Sequence, residues 1–109
     1  MQREHLLARR RADEERAAVA RSELLAATGT DGALLDGTVL PERALVVLQR
    51  LLGPAVAAMG PGRAKGETEA DGLRCVVERR PGESTTLCTP AGALRLIDLT
   101  LTISTAQEA

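Results

Sequence analysis

Phenylalanine, tryptophan and tyrosine are all absent from this sequence of 109 residues. Aromatic side chains bury the largest areas, so the core has to be assembled from Leu, Val, Ile and Ala. Such a core closes a fold with less gain per residue, and the expected stability lies at the low end of about 5–15 kcal/mol. A partner covering part of the surface would add to it. Histidine occurs once, as His5, and cysteine twice, as Cys75 and Cys88. A lone histidine near the N-terminus has no second ligand or nucleophile beside it, which argues against metal or acid–base work. Two thiols without further Cys or His cannot complete a zinc site. No run approaches the ~20 apolar residues of a membrane span. The first residues, MQREHLLARRRADEERAA, are charged throughout and lack the apolar stretch of a secretory signal. The expected compartment is the cytoplasm, where the two cysteines remain thiols.

Neither sign of charge dominates. The net charge of −1 gives the whole molecule no preference for nucleic acid or an anionic membrane. Apolar residues at 44% and charged residues at 27% are those of an ordinary globular chain, and the length suits one domain.

Residues 4–27 are rich in Ala, Leu, Arg and Glu and contain no Gly or Pro, which predicts one long helix. Its first half is mostly charge, and Gly29 suits a left-handed helix end. Residues 29–37 read as a connector, pinned by Leu34 and Leu35. A second helix opens near Thr38, a candidate cap, with Pro41 in its first turn. Leu45, Leu48, Leu52 and Val56 recur at helical spacing as its buried face, and Gly53-Pro54 is expected to kink or split it. GPGRAKGETEADG, residues 60–72, reads as a mobile loop. Beyond it the period changes to two. LRCVVER and STTLC flank RPGE as a hairpin, and LRLIDLTLTIS supplies a third strand. In that strand Ile97, Leu99, Leu101 and Ile103 alternate with polar residues, and the opposite parity of Leu94 and Leu96 predicts a bulge. The expected architecture is α+β and winged-helix-like: two main helices followed by a three-stranded antiparallel sheet. Residues 1–23 form a charged helical extension, 24–104 the domain and 105–109 a disordered tail.

Each candidate for chemistry has a plainer reading. If the chain reverses at Pro81-Gly82, Cys75 and Cys88 fall opposite each other on neighbouring strands. Two small apolar residues on a hairpin account for them more economically than a redox pair. GPGRAKGET lacks the Gly-Lys-Ser/Thr order of a phosphate-binding loop and is followed by strands rather than a helix. No Gly-x-Ser-x-Gly elbow and no carboxylate pair in a site context occurs. The expectation is therefore no enzyme, no cofactor, no metal and no small-molecule substrate.

Basic residues remain. Arg9, Arg10 and Arg11 precede Asp13, Glu14 and Glu15, and Arg79 and Arg80 lie between Glu78 and Glu83. Arg43 and Arg50 on the second helix join Arg79 and Arg80 as candidate phosphate contacts. Solvated ion pairs explain these clusters better, and the second helix offers little to read bases. Weak DNA contact by a small winged-helix regulator is the alternative function.

LLAATG, VLPERALVVLQRLLGPAVAAM, DGLRCVVERRPGES and CTPAGALRLIDLTLTIS, in that order, resemble the C-terminal end of a family of uncharacterised actinobacterial proteins. These are the JetA-type subunits of type II Wadjet plasmid-defence systems. The likeness is carried by Leu40, Leu48, Leu51, Leu52, Pro90, Gly92, Leu94, Asp98, Leu101 and Ile103. The resemblance implies a kleisin-like protein whose C-terminal winged helix docks on an SMC-type ATPase, with ATP hydrolysis and plasmid cleavage belonging to partners. Family members are several times longer, so the chain is expected to be a fragment or stand-alone remnant. The expected function is a non-catalytic protein-interaction domain. Its expected contacts are Val47 and Leu51 on the flank of the second helix, and Leu94 and Leu96 beside the bulge.

Overall fold

The computed structural model describes residues 2–106, with side chains from residue 9 onward. The side chain of His5 and residues 107–109 of the expected tail lie outside the described residues. The first helix, α1 (Gln2–Thr28), turns its Ala20, Leu24 and Thr28 inward at four-residue spacing. It stops where Gly29 takes φ 69, and the Thr28 hydroxyl donates to the Leu25 carbonyl at 2.8 Å. A short strand, β1 (Ala33–Leu34), follows. Next comes α2 (Glu42–Met59), with Pro41 at its N-cap and no side-chain cap. Thr38, the candidate cap, instead donates its hydroxyl to the Leu35 carbonyl and closes a turn before the helix. The helix is not split at Gly53-Pro54. Pro54 removes only the helical bond to the carbonyl of Arg50, an exposed residue.

The expected three-stranded sheet is corrected by the structure. Five strands follow α2: β2 (Lys65–Ala70), β3 (Leu73–Arg79), β4 (Thr85–Thr89), β5 (Gly92–Leu96) and β6 (Leu99–Thr105). With β1 they form two antiparallel sheets, one of four strands in the order β1-β6-β3-β2 and one of two, β4-β5. The fold remains α+β, but the winged-helix outline of two helices and a three-stranded sheet is not what forms.

Three local causes explain the difference. The first is the supposed loop at residues 60–72, which contains β2. Asp71 and Gly72 adopt φ 55 and 76 and turn β2 onto β3, an Asp-Gly hairpin. The second is that β3 and β4 do not pair, because β6 takes the other edge of β3 with Val77 opposite Leu101. The third lies at the parity break near Leu96, where two strands meet rather than one strand bulging. Asp98 at φ 58 ends β5 and starts β6. Asp98 also ties down residues 80–84: its carboxylate accepts from Gly82 N at 2.8 Å and its carbonyl accepts from Arg80 N at 2.8 Å. Thr105 closes β6, one residue into the expected tail.

The core is aliphatic, as the composition requires. Leu24, Leu40, Leu48, Leu51, Leu73, Leu87, Leu101 and Ile103 are all fully buried. At about 25 cal/mol per Å² each contributes on the order of 2 kcal/mol. Leu101 and Ile103 point inward while Thr102 and Ser104 are exposed, as their alternation predicts. Within α2 the buried set is Ala44, Val47, Leu48, Leu51, Ala55 and Met59. Leu45 and Leu52 are half-buried and Val56 is exposed, so the inward face is turned away from the expected one. Gly66 decides the orientation: β2 lies so close to α2 that only a residue without Cβ fits against Ala55 and Met59.

Candidate interaction surface

The four expected contact residues do not form a surface. Val47 is 5% exposed, Leu51 0% and Leu96 7%, while Leu94 is half-buried against the core. Val47 and Leu51 belong to the inward face of α2. Leu94 and Leu96 share the inner face of the small sheet with Leu87. The expectation that they are available to a partner is corrected accordingly.

Different apolar side chains stand in solvent. Leu35, Val39 and Ile97 are 67%, 71% and 66% exposed. All three flank the β4–β5 hairpin. Val39 lies beside Cys88, with Leu40 N donating to the Cys88 carbonyl and Cys88 N to the Thr38 carbonyl, both at 2.8 Å. Two residues earlier, Gly37 N donates to the Thr86 carbonyl at 2.7 Å, and the Asp36 carboxylate accepts from Thr86 N at 2.7 Å. The segment around Leu35–Val39 thus borders β4 as a third, irregular strand. Across β4, Cys88 faces Ala93 of β5. Val39, Cys88 and Ala93 are all exposed, and side chains of paired residues share a sheet face. They form an apolar row on the outer side of the small sheet, with Ile97 just beyond the end of β5. Ile97, expected on the inward face with Leu99, Leu101 and Ile103, is instead exposed: β5 ends at Leu96 and β6 begins at Leu99, so Ile97 follows the outward parity of Ala93 and Arg95. Val39 gave no local signal, because its exposure follows from long-range contact with β4.

The arginines fall into two separate groups. Arg43 pairs with Glu23 of α1, and Arg50 lies 3.8 Å from Asp71. The Glu23 hydrogen bond and charge raise the pKa of Arg43 further. Arg79 donates to the Arg63 carbonyl at 3.4 Å, and Arg80 Nε donates to Glu78 at 2.8 Å. Asp71 precedes β3 and Arg79 ends it, so roughly 20 Å of strand separates the groups. Arg43, Arg50, Arg79 and Arg80 therefore make no continuous positive surface, and three of the four already face carboxylates.

The cysteines are likewise apart. Cys75 on β3 faces Thr68 and Ile103, not Cys88. Both are free thiols, Cys75 buried and Cys88 exposed. Burial pushes the Cys75 thiol up to about 11. A maleimide is therefore expected to label Cys88 and spare Cys75 at pH 7.5 in the folded protein, read by mass spectrometry. Labelling of both at equal rates contradicts this placement. The raised Cys75 value also sets a pH dependence. Above the usual thiol range the unfolded state loses the proton and the folded state keeps it. This contribution is complete at neutral pH and is lost as pH rises from about 8.5 towards 11, on the order of 3 kcal/mol. Urea midpoints at pH 7.5 and 10.5 are expected to fall less in Cys75→Ala than in wild type.

No group of three or more His, Cys, Asp or Glu able to hold a metal occurs among the described residues. None of their helices is long and apolar enough to cross a membrane. Residues 1–100 match the model of a family described as "Protein of unknown function (DUF2397)". No curated protein and no solved structure matches the chain.

Proposed function

We propose that this chain, which belongs to the DUF2397 family, is a non-catalytic protein-interaction domain whose contact surface is the outer side of the β4–β5 sheet. The observation that carries the reading is the exposure of Leu35, Val39 and Ile97 around one short hairpin. Three large aliphatic side chains left in water within one region mark a surface to be covered. Fixed backbone beneath them lowers the cost of docking, because Leu40, Gly37 and Asp36 are already bonded to β4. The resemblance to JetA-type kleisin-like subunits names the partner class: an SMC-type ATPase of a bacterial plasmid-defence complex, which performs the hydrolysis. Ion pairing of Arg43, Arg50 and Arg80 gives nucleic-acid contact less support.

Cys88 provides the test, because it sits in the same row as Val39. Binding of the ATPase head of an SMC-type protein encoded in the same genome is expected to slow maleimide labelling of Cys88 at least tenfold. Unchanged labelling at saturating head, with the complex demonstrated by gel filtration, places the interface elsewhere.

A further inference from the structure

The small sheet leaves the exposed stretch of α1 at residues 9–19 unexplained. Between residues 9 and 19 none is buried, and only Ala12 and Ala17 are partly covered. The body is 57 Å long against 30 and 25 Å in the other directions, while a helix of 27 residues spans about 40 Å. From residue 9 to residue 19 that helix buries no side chain, and isolated helices of such length are marginal in water. Beside this arm α1 and α2 enclose a groove of about 590 Å³. Its floor is apolar, made by Ala17, Ala20, Val46 and the edge of Val47, and Val46 is 44% exposed. Its walls hold five arginines and three carboxylates, an excess of positive charge in a chain whose net charge is −1. Arg43 and Arg50 reach towards carboxylates, whereas Arg10 and Arg21 have none within 4 Å among the described residues.

We propose that this groove receives an acidic amphipathic helix of a partner protein. Its apolar face lies on Ala17 and Val46, and its Glu or Asp flank meets Arg10 and Arg21. Small residues on the α1 wall allow close approach at the 8–10 Å typical of packed helices. The incoming helix turns the bare arm into one wall of a three-helix array, so the arm gains the packing it lacks. A basic helix is repelled by the excess of arginine. A second copy of α1 offers Arg9, Arg10 and Arg11 as well as Asp13, Glu14 and Glu15, and so lacks the net negative charge the groove selects. The inference rests on the interaction-module reading but uses a different face, so the two fail separately.

The probe is a fluorescein-labelled model helix with Leu at every third or fourth position, Ala between and Glu on the flanks. A twin carries Lys in place of Glu. Anisotropy titration with the full chain at low salt is expected to give saturable binding of the acidic helix and none of the Lys twin. Val46→Asp and, independently, Arg21→Glu are expected to weaken binding at least tenfold while circular dichroism stays that of wild type. Both residues are at least partly exposed, so these variants fold. Absence of saturable binding, equal binding of the Lys twin, or indifference to both variants overturns the proposal. A concentration-dependent dimer that Val46→Asp dissolves also overturns it, by assigning the groove to a second copy.

Discussion

Gly66→Ala is expected to cost the domain more than about 3 kcal/mol, and Gly66→Val to leave no folded protein at 37 °C. A Cβ at Gly66 falls 2.1 Å from the Ala55 carbonyl oxygen, 2.6 Å from Met59 Cγ and 3.0 Å from Met59 N. The Met59 side chain has rotamers to use, but the backbone of Ala55 does not. Relief requires α2 to lift from β2, and that would open the packing around Leu48, Leu51, Ala55 and Met59. Overpacking a well-filled core costs about 1–3 kcal/mol where the neighbour is a side chain, and more where it is a helix backbone. For a domain with an aromatic-free core that loss is a large part of the total. A urea titration followed by circular dichroism reads it directly. A Gly66→Ala midpoint equal to wild type would contradict the close approach of β2 and α2.

Leu51→Asp and Val39→Asp are expected to behave oppositely. Leu51 is 0% exposed at the centre of α2, and a carboxylate there is either desolvated or protonated at a cost of several kcal/mol. The variant should lose its cooperative unfolding transition. Val39 is 71% exposed, so its substitution should move stability by no more than about 0.5 kcal/mol. Loss of binding by Leu51→Asp therefore reports unfolding, whereas loss by Val39→Asp reports a contact. A Leu51→Asp protein with a wild-type transition would mean that α2 buries a different face.

How much of this was legible in the sequence follows from how local each cause is. α1 and α2 were visible because helix formers and Gly29 act within a few residues. Leu101 and Ile103 were visible from their alternation with Thr102 and Ser104, but the same pattern misplaced Ile97, which lies in the turn between β5 and β6 and is exposed. The inward face of α2 was not. Its apolar residues at 44–48, 51, 52, 55 and 56 wrap most of the helix, so spacing alone allows several faces and Gly66 on a distant strand selects one. β2 was hidden because KGETEA has little apolar character, although Asp71-Gly72 announced its turn. The insertion of β6 between β1 and β3 is non-local and leaves no local mark. The same holds for the candidate surface: Val39 is exposed because its neighbours bond to β4, almost fifty residues later in the chain.

On the proposed reading, the outer side of the small sheet is where an SMC-type ATPase docks. Immobilised wild-type domain and Val39→Asp, both shown to be folded, should be presented with the purified ATPase head encoded in the same genome. Wild type is expected to retain the head, and Val39→Asp to lose at least tenfold in affinity, about 1.4 kcal/mol. A head that passes through the folded wild-type column, or that both proteins retain equally, contradicts it.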